Sequence, residues 1–171
     1  MLLARPDVVD IWDQPPSICY IDGEGRAKDH FFDFLITLQS DERFALAVKP
    51  AAIVERRAFR PELQRIREAT PFDFADEVLL VTDRSFTSAE ARNAERLHEF
   101  RRHPDPEADA AILDVLQSLT SERTIAECVE ASRLEGRGFR AAFRALYSGA
   151  ARALDMGDIQ PNTRIVPGGA A

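Results

Sequence analysis

Two apolar runs, each carrying a single charge, constrain this chain more than any other feature. Phe31-Phe32-Asp33-Phe34-Leu35-Ile36 holds a carboxylate in its middle, and Phe44-Ala45-Leu46-Ala47-Val48-Lys49-Pro50 ends on an ammonium. A short polar turn separates them, so they read as consecutive strands of a hairpin. Side chains two apart on a strand share a face. Ala47 and Lys49 therefore point the same way, and Asp33 on the neighbouring strand can lie beside them. A carboxylate next to an ammonium across paired strands is the least that a metal-and-phosphate site requires. The same spacing describes one ion pair on a half-exposed hairpin, which is the commoner case on spacing alone.

The strands before and after this hairpin set the fold class. Residues 8–12 read as a first strand stopped by Pro15-Pro16, and residues 17–21 as a second, followed by the turn Asp22-Gly23-Glu24-Gly25. Residues 30–38 and 43–49 complete an antiparallel meander of three consecutive strands. Residues 51–69 then switch to helical spacing, as one helix or as two broken near Pro61. Residues 77–82 are nearly continuously apolar, the pattern of a strand buried on both faces. Residues 88–102 form the next helix, with Ser88 at its N-cap. A strand–helix–strand crossover implies a parallel pair, so the expected core is an α/β fold with a mixed sheet.

Pro104-Asp105-Pro106 is the clearest boundary in the chain. It divides a core at 1–103 from a small domain at 104–167, with a tail at 168–171. Past it, residues 107–119, 124–132 and 138–147 read as three short helices, the second opened by the capping box of Thr124 and Glu127. Residues 150–166 fit a two-stranded wing around Met156-Gly157-Asp158, which makes the whole a winged-helix pattern. On the third helix Phe139, Phe143 and Leu146 fall on one side and Arg137, Arg140 and Arg144 on the other, with no acid among them. That position in a helix-turn-helix enters the DNA major groove. The three arginines are thus candidates for contact with DNA or with an acidic protein partner, or an ordinary solvated face.

Bulk properties narrow the partners. A net charge of −7 excludes a protein that coats nucleic acid indiscriminately and leaves only a local basic face for that role. Lys28 and Lys49 are the only two lysines among 22 basic residues, so Lys49 is not one of many interchangeable surface ammonium groups. No apolar run approaches the ~20 residues that span a bilayer, and the N-terminus lacks the pattern of a signal peptide. The expectation is a cytoplasmic protein with no membrane contact. Cys19 and Cys128 lack metal-ligand spacing and are expected as buried free thiols, and His30, His98 and His103 form no ligand motif.

The runs Pro6-Asp7-Val8-Val9-Asp10-Ile11 and Gln14-Pro15-Pro16, then Tyr20-Ile21-Asp22, Asp33-Phe34-Leu35 and Val48-Lys49-Pro50, together resemble the TnsA endonuclease family. Thr124-Ile125-Ala126-Glu127 in the C-terminal part is similar to that family's second domain. The resemblance covers almost the whole chain. It implies a restriction-endonuclease-like PD-(D/E)xK core followed by a winged helix, with DNA and transposase-type proteins as partners; a homodimer is compatible. It also implies Mg²⁺, which would activate water and neutralise charge on the scissile phosphate. Asp33 matches the central metal-ligand position and Lys49 the catalytic lysine, while Phe32 stands where the motif has proline.

Two departures count against activity. The Glu or Gln expected two residues before the lysine is Ala47, which has no side-chain oxygen. The family's glutamate on a helix ahead of the first strand has no counterpart after Met1. Glu55, six residues past Lys49, is the candidate for a migrated metal ligand. The expectation is therefore a degenerate nuclease-fold protein that uses no metal and serves in DNA binding or assembly, related to transposition or another mobile element. One alternative is an active Mg²⁺-dependent endonuclease completed by Glu55 or by a partner's carboxylate. A second is a winged-helix transcription regulator.

Overall fold

The computed structural model describes residues 1–169, in a mixed α/β arrangement of two compact units. One unit is Asp7–Phe86; the other joins Met1–Pro6 to the chain from Thr87 onward. The chain thus divides at 86/87 and not at 103/104: Pro104-Asp105-Pro106 turns one helix into the next inside the second unit. Ala170 and Ala171 of the expected tail lie outside the described residues. Gly168 is tied down, its N–H donating to the Ala150 carbonyl at 2.8 Å. Among the described residues no helix is long and apolar enough to cross a membrane.

The first unit contains β1 (Val8–Asp13), β2 (Ile18–Ile21), β3 (Ala27–His30), β4 (Phe34–Leu38), β5 (Arg43–Val48), α1 (Ala51–Arg56), α2 (Phe59–Ala69) and β6 (Glu77–Val81). Its four-stranded sheet runs β1-β4-β5-β6. The β1–β4 and β4–β5 pairs are antiparallel and β5–β6 is parallel, with Phe44 opposite Glu77 and Val48 opposite Val81. The mixed sheet follows from the continuous apolar run of β6, which returns after the helices beside β5. The expected meander is corrected, however. Residues 30–38 are not one strand: the ladder breaks at Phe31–Asp33, and β2 and β3 pair only with each other as a separate ribbon. Phe32, inside the break, is 1% exposed, so burying this ring replaces continued strand pairing at that point.

The helical segment also breaks elsewhere than expected. Arg57 closes α1, Ala58 takes a left-handed conformation (φ 47°, ψ 44°), and α2 begins at Phe59. Pro61 sits in the first turn of α2, where its missing N–H had no helical partner to lose. Phe59, Leu63 and Ile66, spaced four and three residues apart, turn to the sheet. They pack with Ile18, Tyr20, Leu35, Ala45, Ala47, Val54 and Val78 in one core. Each fully buried large side chain here contributes about 1.5–3 kcal/mol.

The second unit holds α3 (Ser88–Arg101), α4 (Pro106–Gln117), β7 (Arg123–Thr124), α5 (Ile125–Ser132), α6 (Glu135–Tyr147), β8 (Ala151–Ala153) and β9 (Arg164–Pro167). The strands form a three-stranded antiparallel sheet in the order β7-β9-β8. Thr87, one residue before the expected cap, closes the capping box of α3 with Glu90, and Thr124 closes that of α5 with Glu127. Ala141, Ala142 and Ala145 leave the α6 backbone close to its neighbours around Ile112, Leu116, Ile125 and Phe143. Gly138 is required by that closeness, since a Cβ there would meet Ser132 Oγ at 2.7 Å. Cys128 is buried in this core, whereas Cys19 is exposed, because β2 alternates and turns it outward.

Candidate functional site

Asp33, just before β4, and Lys49, just after β5, lie at the same end of the β4–β5 pair. Phe34 stands opposite Leu46, and just outside the ladder the Asp33 N–H donates to the carbonyl of that same Leu46 at 2.9 Å. The Asp33 Oδ2 accepts the Val48 N–H at 2.6 Å, which holds its carboxylate against the end of β5. The Lys49 N–H prolongs the parallel pair by donating to the Val81 carbonyl at 3.0 Å. Among the described residues Asp33 and Lys49 form no ion pair. The ammonium instead stands 4.8 Å from the centroid of the Phe59 ring, a cation–π contact at the start of α2. The common alternative, one ion pair on a half-exposed hairpin, is thus not what these charges form.

His30, the last residue of β3, completes this corner and has no motif in the sequence to announce it. It is 9% exposed, edge-on to Phe32 at 4.7 Å and tilted against Phe59 at 6.1 Å. Its Nε2 is buried without a hydrogen-bond partner among the described residues. Burial first, then the Lys49 charge, lower its pKa from the usual histidine range; Glu62 and Asp33 oppose that shift. A depressed folded-state pKa means that the unfolded chain takes up the proton first. The stability from neutral His30 is complete above about pH 6.5 and is lost as pH falls below it. Thermal melts between pH 7.5 and 5.5 should show a falling Tm in the wild type and a smaller fall in His30→Gln. Beside His30, the Tyr20 hydroxyl donates to Glu62 Oε1; burial foremost, and then this bond, push the Tyr20 pKa up to about 12.

The candidate replacement ligand, Glu55, is engaged elsewhere. Glu55 turns to Arg84, Oε1 to Nη1 at 2.6 Å, with both side chains largely exposed. The acid that does reach this end of the sheet is Asp83, after β6, whose Oδ1 accepts the Ala51 N–H at 2.6 Å and caps α1. That bond is the main reason its pKa is lowered. Among the described residues no group of three or more His, Cys, Asp or Glu side chains is placed to hold a metal ion. Asp33 has one oxygen engaged by backbone, Ala47 offers none, and Glu55 is elsewhere. These residues do not fit the Mg²⁺ that the resemblance implies, because a hard cation needs a carboxylate cage or a larger carboxylate share than this.

Two of the three α6 arginines are engaged within their own unit. Arg137 grips Asp105 through two bonds of 2.8 Å and Glu107 through a third of 2.6 Å. The Arg137 bonds hold the Asp105 carboxyl down at about 2. Arg144, with a side chain 11% exposed, pairs with Asp109 at 2.7 Å and reaches the Phe100 and His103 carbonyls. Acids in the first turn of α4 attract such cations and favour the helix terminus at the same time. Only Arg140 of the three is exposed and without a partner among the described residues. A run of three unpaired cations lies elsewhere. Arg56, Arg57 and Arg60, at the elbow between α1 and α2, are exposed and have no side-chain partner among the described residues. The elbow adjoins Phe59 and so the Lys49 ammonium. The sequence signal was present as Arg56-Arg57-Ala58-Phe59-Arg60, a basic run with an aromatic inside it.

No protein-family model matches this sequence, and no curated protein matches it.

Proposed function

We propose that this chain is a TnsA-like nuclease-fold protein that contacts the DNA backbone without cutting it and serves as an assembly protein in transposition or a related mobile-element reaction. The observation that carries this reading is the strand-end arrangement in which Asp33, bonded to the Val48 N–H, and Lys49 flank one end of the β4–β5 pair while Ala47, two residues before the lysine, is buried at 0% exposure. A mixed sheet with a parallel strand beside that pair supports a nuclease ancestry. The order helix, strand, helix, helix, strand, strand from α4 to β9, with its three-stranded sheet, supports a winged-helix reading of the second unit.

Charge supports a confined DNA contact. Residues 7–86 carry sixteen acidic and ten basic side chains, a net −6, so most of the chain's deficit lies in this unit. A polyanion would approach such a surface only where cations cluster. The elbow of Arg56, Arg57 and Arg60, with Lys49 beside it, is that place. The experiment is Mn²⁺ titration followed by electron paramagnetic resonance on the wild type and Asp33→Asn. The expected result is weak, unsaturable binding, the same for both proteins. A saturable Mn²⁺ site removed by Asp33→Asn would overturn the proposal.

A further inference from the structure

We infer that the groove between α5 and α6 is a docking site for a cationic amphipathic segment of a partner protein. The groove is about 630 Å³ and is floored by Val129, Phe139 and Pro161. Gly136, in the first turn of α6, opens it further: a Cβ built there meets no atom within 4 Å. Glu130 and Glu135 stand at the rim and hold no ion pair or side-chain hydrogen bond among the described residues. Asp105, Glu107, Asp109, Glu122, Asp155 and Asp158 of the same unit pair with arginine, whereas these two carboxylates remain available to a partner's cations. Arg133 is the single cation on the same rim, which leaves it net acidic.

An apolar floor between unpaired carboxylates complements an apolar side chain flanked by lysine or arginine, as on a short amphipathic helix. It opposes DNA, whose phosphates would meet Glu130 and Glu135, while Arg137 and Arg144 are already held by α4. The inference deepens the assembly reading but stands on residues 126–161 alone. Metal binding or DNA cleavage by this protein would leave it untouched.

The test uses full-length ¹⁵N-labelled protein and a labelled amphipathic peptide of about twelve residues, built from Leu-Leu and Lys-Lys pairs. Its control is the same peptide with Glu for Lys. The lysine peptide should shift the amides of Val129, Gly136 and Phe139, and the glutamate peptide should not. Glu130→Lys with Glu135→Lys should weaken binding about tenfold or more. Gly136→Trp should fill the groove and abolish binding while Tm holds or rises, since glycine is the weaker helix former. Equal binding of both peptides, undiminished binding to Gly136→Trp, or a DNA duplex shifting those same amides would each overturn the inference.

Discussion

Replacing Arg56, Arg57 and Arg60 together with alanine should weaken binding to a short DNA duplex by about 10–100-fold at 0.1 M salt. The three guanidinium groups face solvent unpaired, so nothing in the fold competes with phosphate for them. Each phosphate they neutralise would release condensed counterions. The slope of log affinity against log salt should therefore shrink by about 0.9 for each phosphate left without its arginine, or by about 3 for the triple variant. Fluorescence anisotropy across a salt series measures both quantities. Because the three side chains support no neighbour, Tm should stay near the wild-type value. Arg137→Ala should behave in the opposite way. It strands Asp105 and Glu107 at the start of α4 and lowers Tm, and it leaves DNA affinity nearly unchanged. If the α6 arginine governed DNA affinity and the elbow did not, the assignment of the DNA contact would be wrong.

Ala47→Glu should cost about 2–4 kcal/mol in metal-free buffer. Ala47 is 0% exposed, packed in the core that contains Leu35, Val54, Phe59 and Leu63. A glutamate there adds volume that the core must shift to admit. It also sets a second carboxylate on the residue next to Val48, whose N–H Asp33 accepts, while the Lys49 ammonium is engaged with Phe59 instead of being free to neutralise it. Addition of Mg²⁺ should recover part of the loss in this variant and none in Ala47→Leu, because two neighbouring carboxylates attract a divalent ion that stabilises the folded form. Denaturant melts with and without Mg²⁺ read both effects. Full wild-type stability without metal would show that the position is roomier and wetter than its burial indicates.

Local rules carried part of this architecture. The two apolar runs were enough to place β4 beside β5 and so to bring Asp33 and Lys49 to the same end of that pair. The unbroken apolar run of β6 marked a parallel strand, and Thr124 with Glu127 marked the start of α5. What the sequence did not disclose depends on distant partners. The basic stripe of α6 looked solvated because its counterions lie 32 and 35 residues earlier, at Asp105 and Asp109. The β2–β3 ribbon carries the same turn chemistry as a strand pair within the main sheet, so only burial of Phe32 and Tyr20 decides where it goes. Pro61 drew the helix break to itself, whereas the left-handed turn at Ala58 sits where no glycine signals it. His30 joins the Asp33–Lys49 corner only through tertiary packing, and Asp83 replaces Glu55 there because a cap on α1 is a local need of the loop after β6.

The most direct measurement is nicking of supercoiled plasmid in Mg²⁺ and in Mn²⁺, at high protein concentration, by the wild type and by Lys49→Ala. A protein that holds DNA without cutting it leaves the plasmid supercoiled with both proteins and both metals, which is the predicted result. Cleavage by the wild type that Lys49→Ala abolishes would contradict it, and would show a working nuclease site with Lys49 at its centre.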